Sequence, residues 1–511
     1  MELEPIIGLE IHVQLTTKSK MFCSCANIFG DVPPNTAICP ICMGFPGTLP
    51  VPNKQAIDWI QKAGVALNCE LAKESRFDRK HYFYPDLPKG YQISQFDKPF
   101  CGKGHLTIHV KGQAKTIGIT RIHLEEDAAK NTHPTSSRRS EAMAGAAPQH
   151  SERADYTLVD YNRAGTPLIE IVTEPDMKTP AEAKAFLQEL QRVIRTLGIS
   201  TADMEKGQMR ADANISLRPV GDTKLYPKTE IKNVNSFKFV EKGLAHEIER
   251  QTKMWEAGET PSHATRGFDS ETGKTTLQRT KEEAADYRYF PEPDIPPFSF
   301  TDAELQAIKE HMPELPNDKI QRLMRQNGIT KEQAALLTED KVLADFFEEV
   351  TSEISQLDNE QVAISVEEVP ILTKLAVNII LRDVRNMIAQ KNITSLLDLK
   401  LNAGDFAELT ALLHAGKINN QAATKIIQEM HKTGGDPDAI IQNLGLEQVS
   451  GADDLQKIVD EVVSEQADTV AKIKAGKEAA IQFLMGQVMA KSSGKANPKT
   501  IIEMLRKTIL G

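Results

Sequence analysis

The sequence predicts an α+β protein: an antiparallel sheet with flanking helices, followed by an all-α remainder. Three observations predict it. Stretches of two-residue alternation recur between positions 8 and 232, a proline-dense segment interrupts the chain at 290–298, and apolar residues recur at helical spacing from 301 onward.

The alternating stretches also carry chemistry. In 8–15, Leu9, Ile11 and Val13 alternate with Glu10, His12 and Gln14, so one face is apolar and the other presents a carboxylate, an imidazole and an amide. In 122–127, His123, Glu125 and Asp127 share a side opposite Leu124. In 210–218, Arg210, Asp212, Asn214, Ser216 and Arg218 share one face, and Ala211, Ala213, Ile215 and Leu217 share the other. Lys228, Glu230 and Lys232 repeat the theme. An antiparallel sheet can pool these faces into one charged floor. Carboxylates gathered with Arg and Lys suit a divalent cation and a polyphosphate, because hard oxygens hold Mg²⁺ while the cations take the remaining phosphate charge. The plainer alternative is a sheet with a solvated charged face.

The other elements follow in chain order. Cys23 with Cys25 and Cys39 with Cys42 form two close pairs thirteen residues apart, with Gly30, Pro33, Pro34 and Pro40 as turn formers. Paired thiolates on two turns can close a tetrahedral structural Zn²⁺ site, the alternative being reduced cysteines in a loop. Cys69 and Cys101 stand alone and read as small buried hydrophobes. Residues 53–67 have helical spacing through Ile57, Ile60, Ala63 and Leu67. Residues 76–91 interleave cations with aromatics, a pattern that serves either substrate contact through stacking and phosphate binding or core packing; Lys80 and Lys89 are the candidate contacts.

Residues 131–153 lack apolar periodicity and read as an inserted loop. Strand character resumes at 155–176, with Asp160, Asn162, Arg163 and Glu170 among its polar residues, and Pro180 opens an amphipathic helix through Phe186, Leu190, Val193 and Leu197 that should cover one face of the sheet. The prolines at 291, 293, 296 and 297 favour extended structure and mark a domain boundary. Asn402 and Gly404 offer a break within the helical remainder, giving domains at 1–295, 296–403 and 404–511. In 472–507, eight Lys or Arg residues face two acids, a pattern for a phosphate-backbone footprint or for a solvated helix face.

Composition bounds these readings. The chain has 511 residues, 40% hydrophobic and 26% charged, which excludes a disordered chain and allows about three or four domains. Its net charge of −10 requires that any polyanionic partner be met by a local basic patch. No signal-peptide pattern opens the chain and no long uncharged apolar run occurs, so a cytoplasmic protein is expected. The glycine-rich phosphate loops GxxxxGK[ST] and GxGxxG are missing, as are the GxSxG elbow, the HExxH helix and a Ser-Lys amidase signature. A nucleotide would therefore be held by the floor.

The stretches 8–15, 81–92, 123–127, 160–176, 205–219, 230–237 and 287–297 resemble the signature blocks of the B subunit of the tRNA-dependent amidotransferases. The last hundred residues, including 416–420 and 476–499, resemble that family's tail domain, which is shared with YqeY proteins. The resemblance covers nearly the whole chain. It implies a cradle domain, a helical domain and a tail that grips tRNA. The same resemblance implies a heterotrimer, in which an amidase partner frees ammonia from glutamine and a small third protein ties the two together. It also implies ATP-dependent phosphorylation of the side-chain carboxylate of Glu-tRNA(Gln) or Asp-tRNA(Asn), with Mg²⁺, followed by amidation. By the same analogy Glu10, His12 and Glu125 belong to the metal and its surroundings, with Asp212 and Asn214 nearby. Arg210, Lys228 and Lys232 fall to phosphate contacts, and Lys477, Lys491, Lys495 and Lys499 to the tail's grip on nucleic acid. His12 or Glu125 could instead deprotonate arriving ammonium. A rival reading is a scaffold that only positions tRNA, and another is a stand-alone ATP-dependent ligase; the missing amidase signature disfavours the latter.

Overall fold

The structure is a computed structural model describing residues 2–30, 32–132, 156–280, 287–357, 364–391, 393, 395–446, 452–474, 478–492 and 498–510. Most of the expected insertion at 131–153 lies outside the described residues. The chain divides into two compact units, Met1–Leu315 and Pro316–Gly511.

The first unit is built on an eight-stranded sheet. Its strands are β1 (Leu3–Gln14), β2 (Gly104–Val110), β3 (Gln113–Glu126), β4 (Pro167–Thr173), β5 (Met209–Pro219), β6 (Thr229–Lys232), β7 (Ala264–Asp269) and β8 (Lys274–Thr280), in the spatial order β8-β7-β6-β5-β1-β4-β3-β2. The expected antiparallel sheet is corrected in one place: β6 and β7 pair in parallel, joined by a helix crossover, while the remaining neighbours are antiparallel. The four strands read from alternation lie in this one sheet, but β4 stands between β1 and β3.

One face of the sheet is apolar. Leu9, Ile11, Val13, Ile122, Leu124, Ile169, Ile171, Ala213 and Ile215 are buried there in a common core. Helix α1 (Lys54–Ala66) starts where Asn53 accepts the Ala56 amide; α2 (Pro180–Thr196) starts at Thr179, with Pro180 supplying the preset first turn; α3 (Phe237–Glu256) starts at Ser236. Phe186, Leu187, Leu190, Val193 and Ile194 turn the apolar stripe of α2 into that core, as the spacing predicts.

Over the polar face stands a small sheet of Asp78–His81, Tyr91–Ser94 and Phe290–Pro291. The proline-rich segment is thus bound into the first unit. Phe298–Ser299 pairs with Glu74–Ser75, and the Phe298 ring packs against Phe77 and Phe100, so aromatic burial holds the segment past its prolines.

The second unit is helical. Buried residues from Ile320 to Ile441, including Phe346, Phe347 and Phe406, form one core, and those from Leu455 to Ile509 form another. Asn402 accepts the Asp405 amide and caps the helix Ala403–His414 inside the first of these cores, so the apolar contacts run on through 404.

Candidate active site

Register gathers the polar face. His12 stands opposite Arg210 of β5 on one side and Glu170 of β4 on the other, Glu170 stands opposite His123 of β3, and Glu10 stands opposite Asp212. Directly opposed residues in a sheet point to the same face, so these side chains from four strands meet. His12 Nε2 lies 3.3 Å from Glu170 and 3.8 Å from Glu125. His123 Nε2 lies 3.4 Å from Glu170 and 3.5 Å from Glu125. Two groups that could hold a cation result, Glu10-His12-Glu170 and His123-Glu125-Glu170, each with its ligand atoms within 4.8 Å of one another. The expected metal set Glu10, His12 and Glu125 is therefore spread over two groups that share Glu170. Carboxylate oxygens with imidazole nitrogens suit a divalent cation, and Mg²⁺ fits their hard-oxygen majority.

The charges here are strongly coupled to their surroundings. Burial disfavours a charged His12, but the hydrogen bond and charge of Glu170, reinforced by Glu125 and Glu10, outweigh it and lift His12 to about 9. For Glu170, burial is outweighed by His123 and then His12, which hold it well below the usual carboxylate range. Glu10 moves up, first by burial and then by repulsion from Glu170. A cation bound to the imidazole of His12 would displace its proton.

Cations ring this centre around a cavity of about 370 Å³ lined by His12, Lys80, Tyr82, Glu125, Asp212 and Lys232, with Arg210 beside them. Lys80 comes from the small sheet; burial opposes its charge, but Glu125 leads the neighbours that hold it above the usual lysine range, and its ammonium lies 5.0 Å from the Tyr287 ring centre. Arg210 donates to Asp127 at 2.9 Å, and Asp127, buried, also accepts from Gln14 at 2.7 Å. Lys232 donates to Asp212 at 2.5 Å and lies 3.3 Å from Glu230. Asn214 shares the face beyond Asp212, opposite Gly8 and Glu230.

Several expected residues lie elsewhere. Lys228 stands ahead of β6, and its backbone amide meets His263 at 3.3 Å, away from the cavity lining. Lys89 falls on the core side of its two readings: it is ion-paired with the buried Glu126, whose carboxylate also accepts the Ile93 amide at 2.9 Å. Lys491 pairs with Glu465 at 2.7 Å and Glu461 at 2.8 Å. Lys477 and Lys495 lie outside the described residues, as does the side chain of Lys499. The candidate set omitted Glu170 and His123. His123 was visible in the alternation, and the signal for Glu170 is a lone acid within the apolar strand Pro167–Thr173.

The four paired cysteines do converge, with their sulfurs within 4.8 Å of one another. The Cys39 amide donates to the Cys42 sulfur at 3.2 Å, and the Cys23 thiol's hydrogen bond is the largest influence holding Cys42 down to about 5, while Cys23 is pushed up. A cluster of four sulfurs, one already favoured as thiolate, fits tetrahedral Zn²⁺.

Residues 5–306 match the family model described as the GatB/GatE catalytic domain, and residues 345–509 match that of the GatB domain. The B subunit of the aspartyl/glutamyl-tRNA(Asn/Gln) amidotransferase of Thermodesulfovibrio yellowstonii is 43% identical over 509 residues, covering 100% of both chains. Those of Dehalococcoides mccartyi and Thermotoga maritima are each 44% identical, over 99% and 100% of both chains respectively. With the catalytic-domain model matching most of the chain and full-length relatives at this identity, the chain belongs to the GatB/GatE family of amidotransferase B subunits.

Proposed function

We propose that this chain activates the side-chain carboxylate of Glu-tRNA(Gln), Asp-tRNA(Asn) or both by phosphoryl transfer from ATP, so that ammonia can complete the amide. The complex is then a carbon–nitrogen ligase working in the cytoplasm. The supporting observation is the meeting of Glu10, Glu125 and Glu170 with His12 and His123 beside a cavity edged by Lys80, Arg210 and Lys232, with Glu125, Glu170 and His123 buried. A surface that merely docks tRNA has no use for buried carboxylates, which repel a phosphate backbone.

The chemistry explains the mixed charge. Ammonia cannot displace oxide from a free carboxylate at a useful rate. In the proposed sequence a substrate carboxylate oxygen bonds to the γ-phosphorus, ADP leaves, ammonia attacks the carbonyl carbon, and phosphate departs as the nitrogen loses a proton. Glu10, His12, Glu125 and Glu170 are the residues that would hold Mg²⁺, which when bound neutralises phosphate charge. Lys80, Arg210 and Lys232 face the remaining negative charge. In the alternative to the metal role, Glu125, or His12 once it has lost its proton, takes the proton of arriving ammonium.

Ammonia comes from a separate amidase protein of the complex, with a small third protein joining the two. The basic helices of the second unit meet tRNA, and the four cysteines hold a structural zinc. The test follows γ-phosphate transfer in the complex with labelled ATP, Mg²⁺ and Glu-tRNA, comparing wild type with Glu10→Ala, Glu125→Ala and Asp212→Ala. Variants that bind tRNA but form neither acyl phosphate nor amide, even with ammonium supplied, support the reading. Normal phosphorylation by all three variants overturns it.

A further inference from the structure

We propose that Lys20 is the counter-charge of the four-cysteine centre and sets how firmly that centre keeps its metal. This rests on the zinc reading above. Lys20 is fully buried, and its ammonium contacts the Tyr161 carbonyl at 3.3 Å and the Cys42 sulfur at 3.9 Å. Among the described residues no carboxylate pairs with it, whereas Lys89 has Glu126. A buried ammonium is costly unless its lost hydration is repaid by a nearby opposite charge, and the anion nearest Lys20 is the Cys42 sulfur. A divalent ion bound by four thiolates carries excess negative charge and supplies that partner.

The surroundings fix Lys20 in this position. Its backbone amide donates to the Cys25 carbonyl at 2.9 Å, and the next amide, of Met21, donates to the Gly165 carbonyl at 2.7 Å. Gly165 has φ +86°, and a Cβ there would lie 3.4 Å from the Lys20 Cδ, so the lysine stem fills the slot that the glycine leaves. The ammonium thereby joins the cysteine centre to the turn that carries Tyr161 and Gly165.

The test uses the full-length, zinc-loaded chain and Lys20→Met, which keeps most of the apolar stem and removes the charge. Zinc release to excess chelator is followed with a metallochromic dye, and melting is measured before and after stripping the metal. The expected result is release at least about tenfold faster in Lys20→Met, equivalent to about 1.4 kcal/mol if it reflects affinity, together with a smaller gain in Tm on zinc loading than in wild type. Equal release rates overturn the role of Lys20 while leaving the zinc site standing. An equal fall in Tm with and without zinc also overturns it, because Lys20 then only anchors the Tyr161 carbonyl. A wild-type chain that retains no zinc overturns the zinc reading, and this proposal with it.

Discussion

Replacing Glu170 by Gln removes one negative charge from the point where both candidate cation groups meet, with little change of shape. Two imidazoles lie 3.3 and 3.4 Å from its carboxylate. A unit charge at that distance interacts by about 5 kcal/mol at an effective dielectric near 20, and solvent and neighbouring carboxylates return part of this. If about half is lost from the bound cation, the deficit of roughly 2.5 kcal/mol corresponds to about 60-fold weaker Mg²⁺ binding. The expected outcome is a rise of that order in the Mg²⁺ concentration for half-maximal acyl-phosphate formation and a kcat lower by about 10²-fold, the usual scale for one electrostatic group in a dry site. Thermal stability of the metal-free chain should fall at neutral pH, because His123 and His12 hold Glu170 low in the fold and Glu170 in turn lifts His12, so the substitution removes the main partner of a buried charge. The assay is ADP release by the complex with Glu-tRNA across a Mg²⁺ titration, with tRNA binding measured in parallel. A Glu170→Gln enzyme with unchanged Mg²⁺ dependence and kcat within about threefold of wild type would refute the assignment of the shared carboxylate.

Other substitutions separate the roles of neighbouring groups. Lys80→Met should lower amide formation by about 10²-fold or more while leaving tRNA affinity nearly intact, since Lys80 faces Glu125 and Glu170 inside the cavity; a filter-binding loss with normal turnover would return it to the nucleic-acid surface. Glu247→Gln, away from the cavity, should destabilise the first unit by about 3–5 kcal/mol, read by chemical denaturation, because the fully buried Glu247 carboxylate pairs with Arg250 at 2.8 Å and Arg266 at 3.0 Å. Burial would raise Glu247, but Arg250 outweighs it and holds the group low. Its contribution is thus present above the ordinary carboxylate range and lost as pH falls through the folded value, so the variant's stability should fall less steeply than wild type below about pH 4.5. Gly165→Ala should cost about 1–2 kcal/mol, seen as a lower Tm, because a side chain is placed in the left-handed region against Lys20.

What was legible in the sequence follows from how each strand is buried. β1 and β5 each bury one face, so Leu9, Ile11 and Val13 against Glu10, His12 and Gln14, and Ala211 to Leu217 against Arg210 to Arg218, show the period directly. β4 is covered on both faces, and its near-continuous apolar run hides both the strand's central place and the meaning of Glu170. Strand order depends on pairings far apart in the chain, such as Glu170 with His123 and with His12, which no local pattern records. Glu125 and Glu126 look alike in sequence, yet alternation sends one to the cavity and the other to Lys89. The proline-rich segment read as a boundary because prolines favour extended linkers, while the aromatics Phe290 and Phe298 that bind it to the first unit act only through distant partners.

The most direct measurement places ¹⁸O in the side-chain carboxylate of Glu-tRNA and follows it through turnover of the complex with ATP and Mg²⁺. Activation at the polar face of the sheet predicts one labelled oxygen in each phosphate released with amide, and loss of that labelled phosphate in Glu125→Ala while tRNA binding persists. Phosphate without carboxylate label, its one new oxygen drawn from solvent, or label transfer undiminished in Glu125→Ala, would contradict the account and move the chemistry away from these strands.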